Sequence, residues 1–324
     1  MQIINRLRYY FYYFKESYNK KREWKGDRLL PTLSNMISEK DGCDKLTELI
    51  ESGKPFSVIR YGYYELYEFF YYSRDLLFGT KKHLNESGIV DAKHFHSAGE
   101  NDPEGDIGFR RFYDVNVEAT KNADMIACWK DMQGIEMFLK MTCAIPKTKP
   151  IVNAYVFDSY LYDNSWTKAL AGKKVLVISP FSNQIEIQYR NCREVLFADK
   201  TFLPEFELST VQSVWYFAGM KDEKYSTWWE ALDYLYEESM KKDFDIALLS
   251  CGPFGIPLCE RFKRAGRSAI YVGGVLQLYF GIKGARWEGE PYNYDKKFYN
   301  EFWVRPEEAS KPKGTDRLDN GCYW

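Results

Sequence analysis

Net charge is almost absent from this chain. Its 45 Lys and Arg against 46 Asp and Glu leave −1 at neutral pH, so it lacks the bulk positive charge with which proteins hold nucleic acid. Long apolar runs are missing too. No stretch approaches the roughly 18 to 20 residues of a membrane span, and Arg6 and Arg8 interrupt the only N-terminal run that could serve as a secretory signal. The seven cysteines (Cys43, Cys128, Cys143, Cys192, Cys251, Cys259 and Cys322) are odd in number and contain no C-x-x-C pair. Neither a zinc site nor a disulfide framework is expected, and a reducing cytoplasm is the natural compartment. Neither G-x-G-x-x-G nor G-x-x-x-x-G-K-[ST] occurs, which weighs against dehydrogenases and P-loop NTPases. A methyltransferase would ordinarily carry a glycine-rich first loop and an acidic residue on the next strand, and the sequence has no clean example of that pairing. There is no internal repeat.

Aromatic residues, by contrast, are abundant: 26 Tyr, 22 Phe and 9 Trp make up 18% of 324 residues. They suit stacking on sugar rings, a membrane-facing surface, or simply an aromatic core. The first 25 residues hold seven basic side chains (Arg6, Arg8, Lys15, Lys20, Lys21, Arg22 and Lys25) against Glu16 and Glu23. Ile3, Ile4, Leu7, Tyr10, Phe11, Phe14 and Tyr18 recur there at helical spacing. An interfacial helix giving peripheral membrane contact and a helix packed on the protein's own surface or on a second copy both fit. We expect this N-terminal segment to span 1–30, an α/β domain 31–302, and a loop-like tail 303–324.

Periodicity predicts a helix over 34–53, a strand at 56–60, a helix from Tyr64 to Phe70, and a loop excursion over 80–108. A helix around 109–122, a strand over 123–129 and helices over 131–142 and 153–171 follow. From Lys173 the alternation is regular. Strands are expected at 174–178, 194–197, 244–249 and 268–272, and helices at 185–192, 224–242 and 256–265. Such alternation argues for a Rossmann-like, mostly parallel sheet with helices on both faces, its core densest over 173–287. Ligands of such sheets gather at the carboxyl ends of the strands, where the loops 179–184, 250–255 and 273–277 should converge. The segment Ala269–Trp287 is the most informative of these. Gly273 and Gly274 let backbone approach a ligand, and Lys283 and Arg286 follow in a second glycine turn, an arrangement suited to an anion.

Two segments carry a resemblance: Phe56-Ser-Val-Ile-Arg-Tyr-Gly-Tyr-Tyr-Glu65 and Ala269-Ile-Tyr-Val-Gly-Gly-Val-Leu-Gln-Leu-Tyr-Phe-Gly-Ile-Lys-Gly-Ala-Arg-Trp287. Together they resemble the GT-D-type glycosyltransferase superfamily, bacterial enzymes of surface-polysaccharide and glycoprotein assembly. Ser250-Cys-Gly-Pro-Phe-Gly-Ile-Pro-Leu258 and Gly321-Cys-Tyr-Trp324 are similar to a branch found among capsule-biosynthesis proteins. The resemblance spans roughly 45–324 and implies a Rossmann-like fold, a UDP-sugar or related donor, a glycan or glycolipid acceptor, and Mn²⁺ or Mg²⁺ near the donor diphosphate. The nucleotide-sugar contacts expected from the loops and turns after the strands are Gly62, Ser250, Gly252, Gly255, Gly273, Gly274, Gln277, Lys283 and Arg286. In one respect the chain departs from the family, whose first motif ends in Arg-x-Gly-Asp-Gly-Glu. Here Tyr63 and Tyr64 stand in place of Asp and Gly, leaving Glu65 as the single acid. The expectation is then a metal-light or metal-independent transferase, or a binding module of the same fold without transfer activity.

Glycosyl transfer builds negative charge on the leaving diphosphate, which cations and backbone N–H groups offset. Arg60 is the first candidate for that role. Glu65 is the candidate base or metal ligand, with Glu100 and Asp102 behind it; the plain alternative for Glu65 is an acid at a helix start, and for Arg60 a salt bridge at a strand end. The pair His94-x-His96 lacks a third ligand at sensible spacing and reads as a solvated loop. Trp215-Tyr-Phe217 and Trp228-Trp229 fit either a sugar wall or core. Cys251 has no histidine nearby in sequence to activate it and reads as an inert thiol.

Overall fold

A computed structural model describes Leu7 and residues 36–62, 69, 72–73, 76–79, 106–129, 149–216, 222–308, 311–315 and 321–324. Several expectations therefore lie outside the described residues: the N-terminal amphipathic segment, the helix from Tyr64, the excursion over 80–105, and the helix over 131–142.

Among the described residues, eight strands form one sheet. They are β1 (Met36–Ile37), β2 (Ser57–Arg60), β3 (Met125–Cys128), β4 (Ile151–Asn153), β5 (Lys174–Ser179), β6 (Glu207–Gln212), β7 (Ile246–Leu249) and β8 (Ser268–Tyr271). Their order is β1-β4-β3-β2-β8-β7-β5-β6, and every pairing is parallel. Parallel strands covered on both faces need apolar residues at consecutive positions, and β3 (Met-Ile-Ala-Cys) and β7 (Ile-Ala-Leu-Leu) are buried throughout. Side chains still alternate between the two faces. Ile59, Ile126, Ile178, Leu249 and Tyr271 point into one core, while Val58, Met125, Val177, Leu248 and Ile270 point into the other.

The first core is covered by α2 (Asp106–Asn122), α4 (Trp228–Met240) and α5 (Gly255–Arg264). The second is covered by α1 (Glu39–Glu51), α3 (Ser182–Cys192) and the one-turn α6 (Leu276–Tyr279), with α7 (Tyr294–Lys297) beside them. Side-chain caps fix two of these starts. Ser38 accepts the Asp41 N–H at 3.1 Å and Thr227 accepts the Glu230 N–H at 3.1 Å. The Trp228-Trp229 pair belongs to the first core: Trp228 is fully buried and stacks on Phe254 with ring centroids 4.7 Å apart.

The sheet, the two helical layers and most of the elements stand as the sequence predicts. Four segments do not. Met36–Ile37, expected inside the helix over 34–53, form β1 at the sheet edge, and the helix starts at Glu39 behind its Ser38 cap. The strand expected at 194–197 is a turn, because Leu196 is drawn under the C-terminal segment, where its carbonyl accepts from Trp303 Nε1 at 3.2 Å. The strand that pairs with β5 is instead β6, Glu-Leu-Ser-Thr-Val-Gln, polar because it lies at the sheet edge. The helix expected over 153–171 is resolved into the end of β4 and three 3₁₀ turns, Ala154–Phe157, Ser159–Leu161 and Trp166–Leu170. Side chains take carbonyls that a helix would use here: the Tyr279 hydroxyl donates to Phe157 O, and Trp166 Nε1 donates to Val156 O at 3.4 Å.

Candidate functional site

Where β2 and β8 lie side by side, the chain leaves them towards opposite faces. Beyond β2, Tyr61 and Phe69 join the first core, whereas β8 runs directly into α6 on the second. A crevice opens at such a switch point, at the carboxyl ends of the strands. Arg60 is the last residue of β2, at this carboxyl end. Its guanidinium Nη1 donates to the Val272 carbonyl at 3.4 Å, and its Cζ lies 5.2 Å from the centre of the Trp129 ring, which follows β3.

That guanidinium fills the place where a side chain on residue 273 would be. Gly273 has φ +79°, and a Cβ built there would fall 1.6 Å from Arg60 Nη1. Only glycine permits both the backbone angle and the neighbour. The N–H of Gly273 is spent on Leu249 O at 3.0 Å, which ties the turn to β7. Those of Gly274 and Val275 meet no acceptor among the described residues, and both residues are half-buried. One cation and two N–H donors without an acceptor among the described residues thus lie together at the carboxyl ends of β2 and β8.

The C-terminal segment closes over the same turn. A Cβ on Gly274 would lie 2.3 Å from Tyr323 Cε1, so the Tyr323 ring rests directly on that peptide. Its hydroxyl accepts from Arg286 Nη1 at 3.1 Å, and the Arg286 guanidinium lies 4.7 Å from the ring centre. Arg286 is thereby brought beside Gly274 through Tyr323. Trp324 lies against Phe181 at 5.3 Å and Trp215 at 5.6 Å, at the ends of β5 and β6. The described residues of the tail foreseen as loop-like are irregular in backbone, yet its last residues are pinned: Ala285 N donates to Trp324 O at 3.1 Å and Arg286 N to Cys322 O at 2.9 Å.

Other expected contacts have supporting positions. The buried Gln277 amide Nε2 donates to Lys283 O at 2.8 Å, Tyr323 O at 3.1 Å and Ile282 O at 3.4 Å, fastening α6 to the turn after it and to the C-terminal segment. Lys283 places its ammonium 5.7 Å from the Tyr299 ring centre. Gly255 begins α5, and a Cβ on it would meet the Tyr271 ring at 2.5 Å, so its bareness serves the packing of α5 on β8. Ser250 N donates to Ile178 O at 2.8 Å at the end of β7, and Gly252 opens the 3₁₀ turn that leads into α5. Gly62 is half-buried two residues past Arg60, at the mouth.

Glu65, Tyr63 and Tyr64 lie outside the described residues, as do His83, His94, His96, Glu100, Asp102, Cys143 and Phe217. Among the described residues no three His, Cys, Asp or Glu side chains come together as a metal-binding group. Burial pushes the Cys251 thiol well up, which keeps it unreactive. No helix among the described residues is long and apolar enough to cross a membrane.

One group at this edge was not foreseen. Asp158 is 5% exposed, lies in the 3₁₀ turns beyond β4, and accepts from the Tyr160 hydroxyl at 2.8 Å. Burial pushes its carboxyl up to about 6, against the opposing pull of Tyr160 and of the Arg60 charge. Its signal in the sequence is a lone carboxylate inside the aromatic run Tyr155-Val-Phe-Asp-Ser-Tyr160, which a helical reading of 153–171 conceals.

No family model matches the chain, and no curated protein matches it. Two solved structures are similar to it. One is a selenomethionine-substituted structure of domain of unknown function 1792 (DUF1792), 11% identical with a TM-score of 0.45. The other is a structure of this highly conserved domain described as having a distinct glycosyltransferase fold, 11% identical with a TM-score of 0.46. Each match covers 84% of this chain and 96% of the other.

Proposed function

We propose that this chain is a glycosyltransferase that holds a nucleotide-sugar, favouring a UDP-sugar, by its diphosphate in the crevice between β2 and β8, and passes the sugar to a glycan or glycolipid in surface-polysaccharide assembly. The observation that carries the reading is Arg60 lodged against the side-chain-free Gly273, next to Gly274 and Val275, whose N–H groups have no acceptor among the described residues. A guanidinium and two fixed amide donors suit the planar, bidentate demands of a phosphate. They also sit ready to offset the charge that grows on the departing diphosphate. Arg286, steadied by Tyr323, supplies a second cation near Gly274. Among the described residues these groups are the ones positioned to offset the diphosphate charge, and Glu65, outside the described residues, is the proposed ligand for any Mn²⁺ or Mg²⁺.

Calorimetry of the full chain with UDP, GDP and CMP, with and without Mn²⁺, tests the reading. UDP is expected to bind, and Arg60→Met to weaken it at least tenfold, the size of a lost charged hydrogen-bond partner of about 1.5–3 kcal/mol. Failure of all three nucleotides to bind removes the proposal. The replacement of Asp and Gly by Tyr63 and Tyr64 favours a second reading, a nucleotide-sugar or glycan-binding module without transfer. UDP binding with no turnover of any donor would select it.

A further inference from the structure

Asp158 is held in place from both sides of the candidate site. The Tyr279 hydroxyl, on the helix that follows the Gly273-Gly274 turn, donates to Phe157 O and lies 3.4 Å from Ser159 Oγ, gripping the residues before and after Asp158. Across from it, Asp158 N donates to Tyr155 O at 2.9 Å, the Tyr155 ring meets the Trp129 ring edge-on at 5.3 Å, and Trp129 carries the Arg60 guanidinium. Tyr160 occupies Oδ1, whereas Oδ2 receives no bond among the described residues. That oxygen is not among the fully buried side-chain atoms without a partner, so it keeps an open side from which an incoming hydroxyl can reach it, while the rest of the carboxyl is held out of water.

We propose that Asp158 is the proton acceptor of this site, its Oδ2 taking the proton of the hydroxyl that attacks the donor sugar. The assignment rests on the nucleotide-sugar reading above. In the step, the attacking oxygen forms a bond to the anomeric carbon and loses its proton to Asp158. The bond from that carbon to the diphosphate breaks, and its electron pair leaves with the nucleoside diphosphate, whose charge Arg60 offsets. The groups that face Asp158 are Arg60 from β2, Tyr160 and Tyr162 from its own segment, Tyr279 from α6 and Tyr294 from α7. Burial raises all four tyrosines, so they stay neutral and Arg60 is the cation among them. A carboxyl that titrates near 6 is ionised at neutral pH yet basic enough to take a proton.

The test uses the full chain with ¹³C-labelled aspartate, the Asp158 carboxyl being assigned by its loss in Asp158→Asn. Its titration is expected near 6 in the free protein, and higher in saturating UDP, because the diphosphate adds like charge and engages Arg60. In parallel, release of UDP from UDP-glucose, UDP-galactose and UDP-N-acetylglucosamine into water is followed against pH. Asp158→Asn should lower the rate about 100-fold or more and erase the rise through the carboxyl's titration, with UDP affinity held within about threefold. UDP binding that leaves the Asp158 titration unmoved overturns the assignment, as does a variant that keeps the rate and its pH profile. Wild-type protein that binds UDP but hydrolyses none of the donors also overturns the base role while leaving nucleotide binding intact. No binding of UDP at all removes the underlying reading itself.

Discussion

Arg60 and Gly273 compete for one volume, and the crevice exists because glycine yields it. Gly273→Ala would force an L-residue to φ +79°, at a cost of about 1–2 kcal/mol, and would drive the guanidinium off the Val272 carbonyl. The expected outcome is a lower urea midpoint together with at least tenfold weaker UDP binding, the first read by fluorescence and the second by calorimetry. Asp158 gives a pH signature of its own. Its carboxyl goes from an ordinary 3.8 to about 6 on folding, so the native state takes up a proton between those values. The stability this lends is complete below about pH 4 and is lost as pH rises through about 6. At roughly 1.4 kcal/mol per unit, the ionised group costs about 3 kcal/mol at pH 8. Asp158→Asn, which keeps an acceptor for Tyr160, should therefore melt above wild type at pH 8 and level with it at pH 4. Thermal melts at the two values decide this, and equal melting temperatures at pH 8 would refute the burial argument.

Elements were legible in the sequence in proportion to how far local pattern decides them. The central strands β3, β7 and β8 are short apolar runs between polar turns, and α4 carries its own cap at Thr227, so each could be read without tertiary information. The edge strand β6 could not, because an edge needs little apolar content and Glu-Leu-Ser-Thr-Val-Gln looks like a loop. Residues 194–197 carry enough apolar character for a strand, yet Leu196 is used to bury the C-terminal segment, a contact made more than a hundred positions away. Close packing between elements is equally silent in a single sequence. Gly255 reads as a ligand loop, while in the fold it lets α5 lie on the Tyr271 ring. Gly255→Ala should push α5 from β8 and cost about 1–3 kcal/mol, the range of overpacked cores. A reduced urea midpoint is the readout, and an unchanged one would mean that the ring can swing aside.

The candidate site is likewise only partly visible in the sequence. Arg60, Gly273 and Gly274 were legible because a cation and a glycine pair follow strands. Asp158 was not, since its neighbours come from α6, β2 and the turns beyond β4, which only the assembled molecule brings together. The C-terminal segment belongs to that assembly. Removing residues 321–324 would strip the Gln277 bond to Tyr323 O, two backbone bonds, and the aromatic cover of Phe181 and Trp215. A loss of about 2–4 kcal/mol is expected from those hydrogen bonds and the exposed apolar surface. Urea titration of the shortened chain measures it, and an unaltered midpoint would show that these four residues only rest on the surface.

The pairing of β2 with β8 sets the order in which this molecule can come into being. Arg60 and its Val272 partner are 212 positions apart, so the crevice is closed by one of the most distant contacts in the chain. A growing polypeptide can complete β2 and β3 early, but the candidate site has only one wall until β8 arrives. Contacts of such separation form slowly, because the intervening chain must first be gathered in. A diphosphate that touches both walls would act as a clasp on the finished sheet, holding the first-made half of the protein to the last.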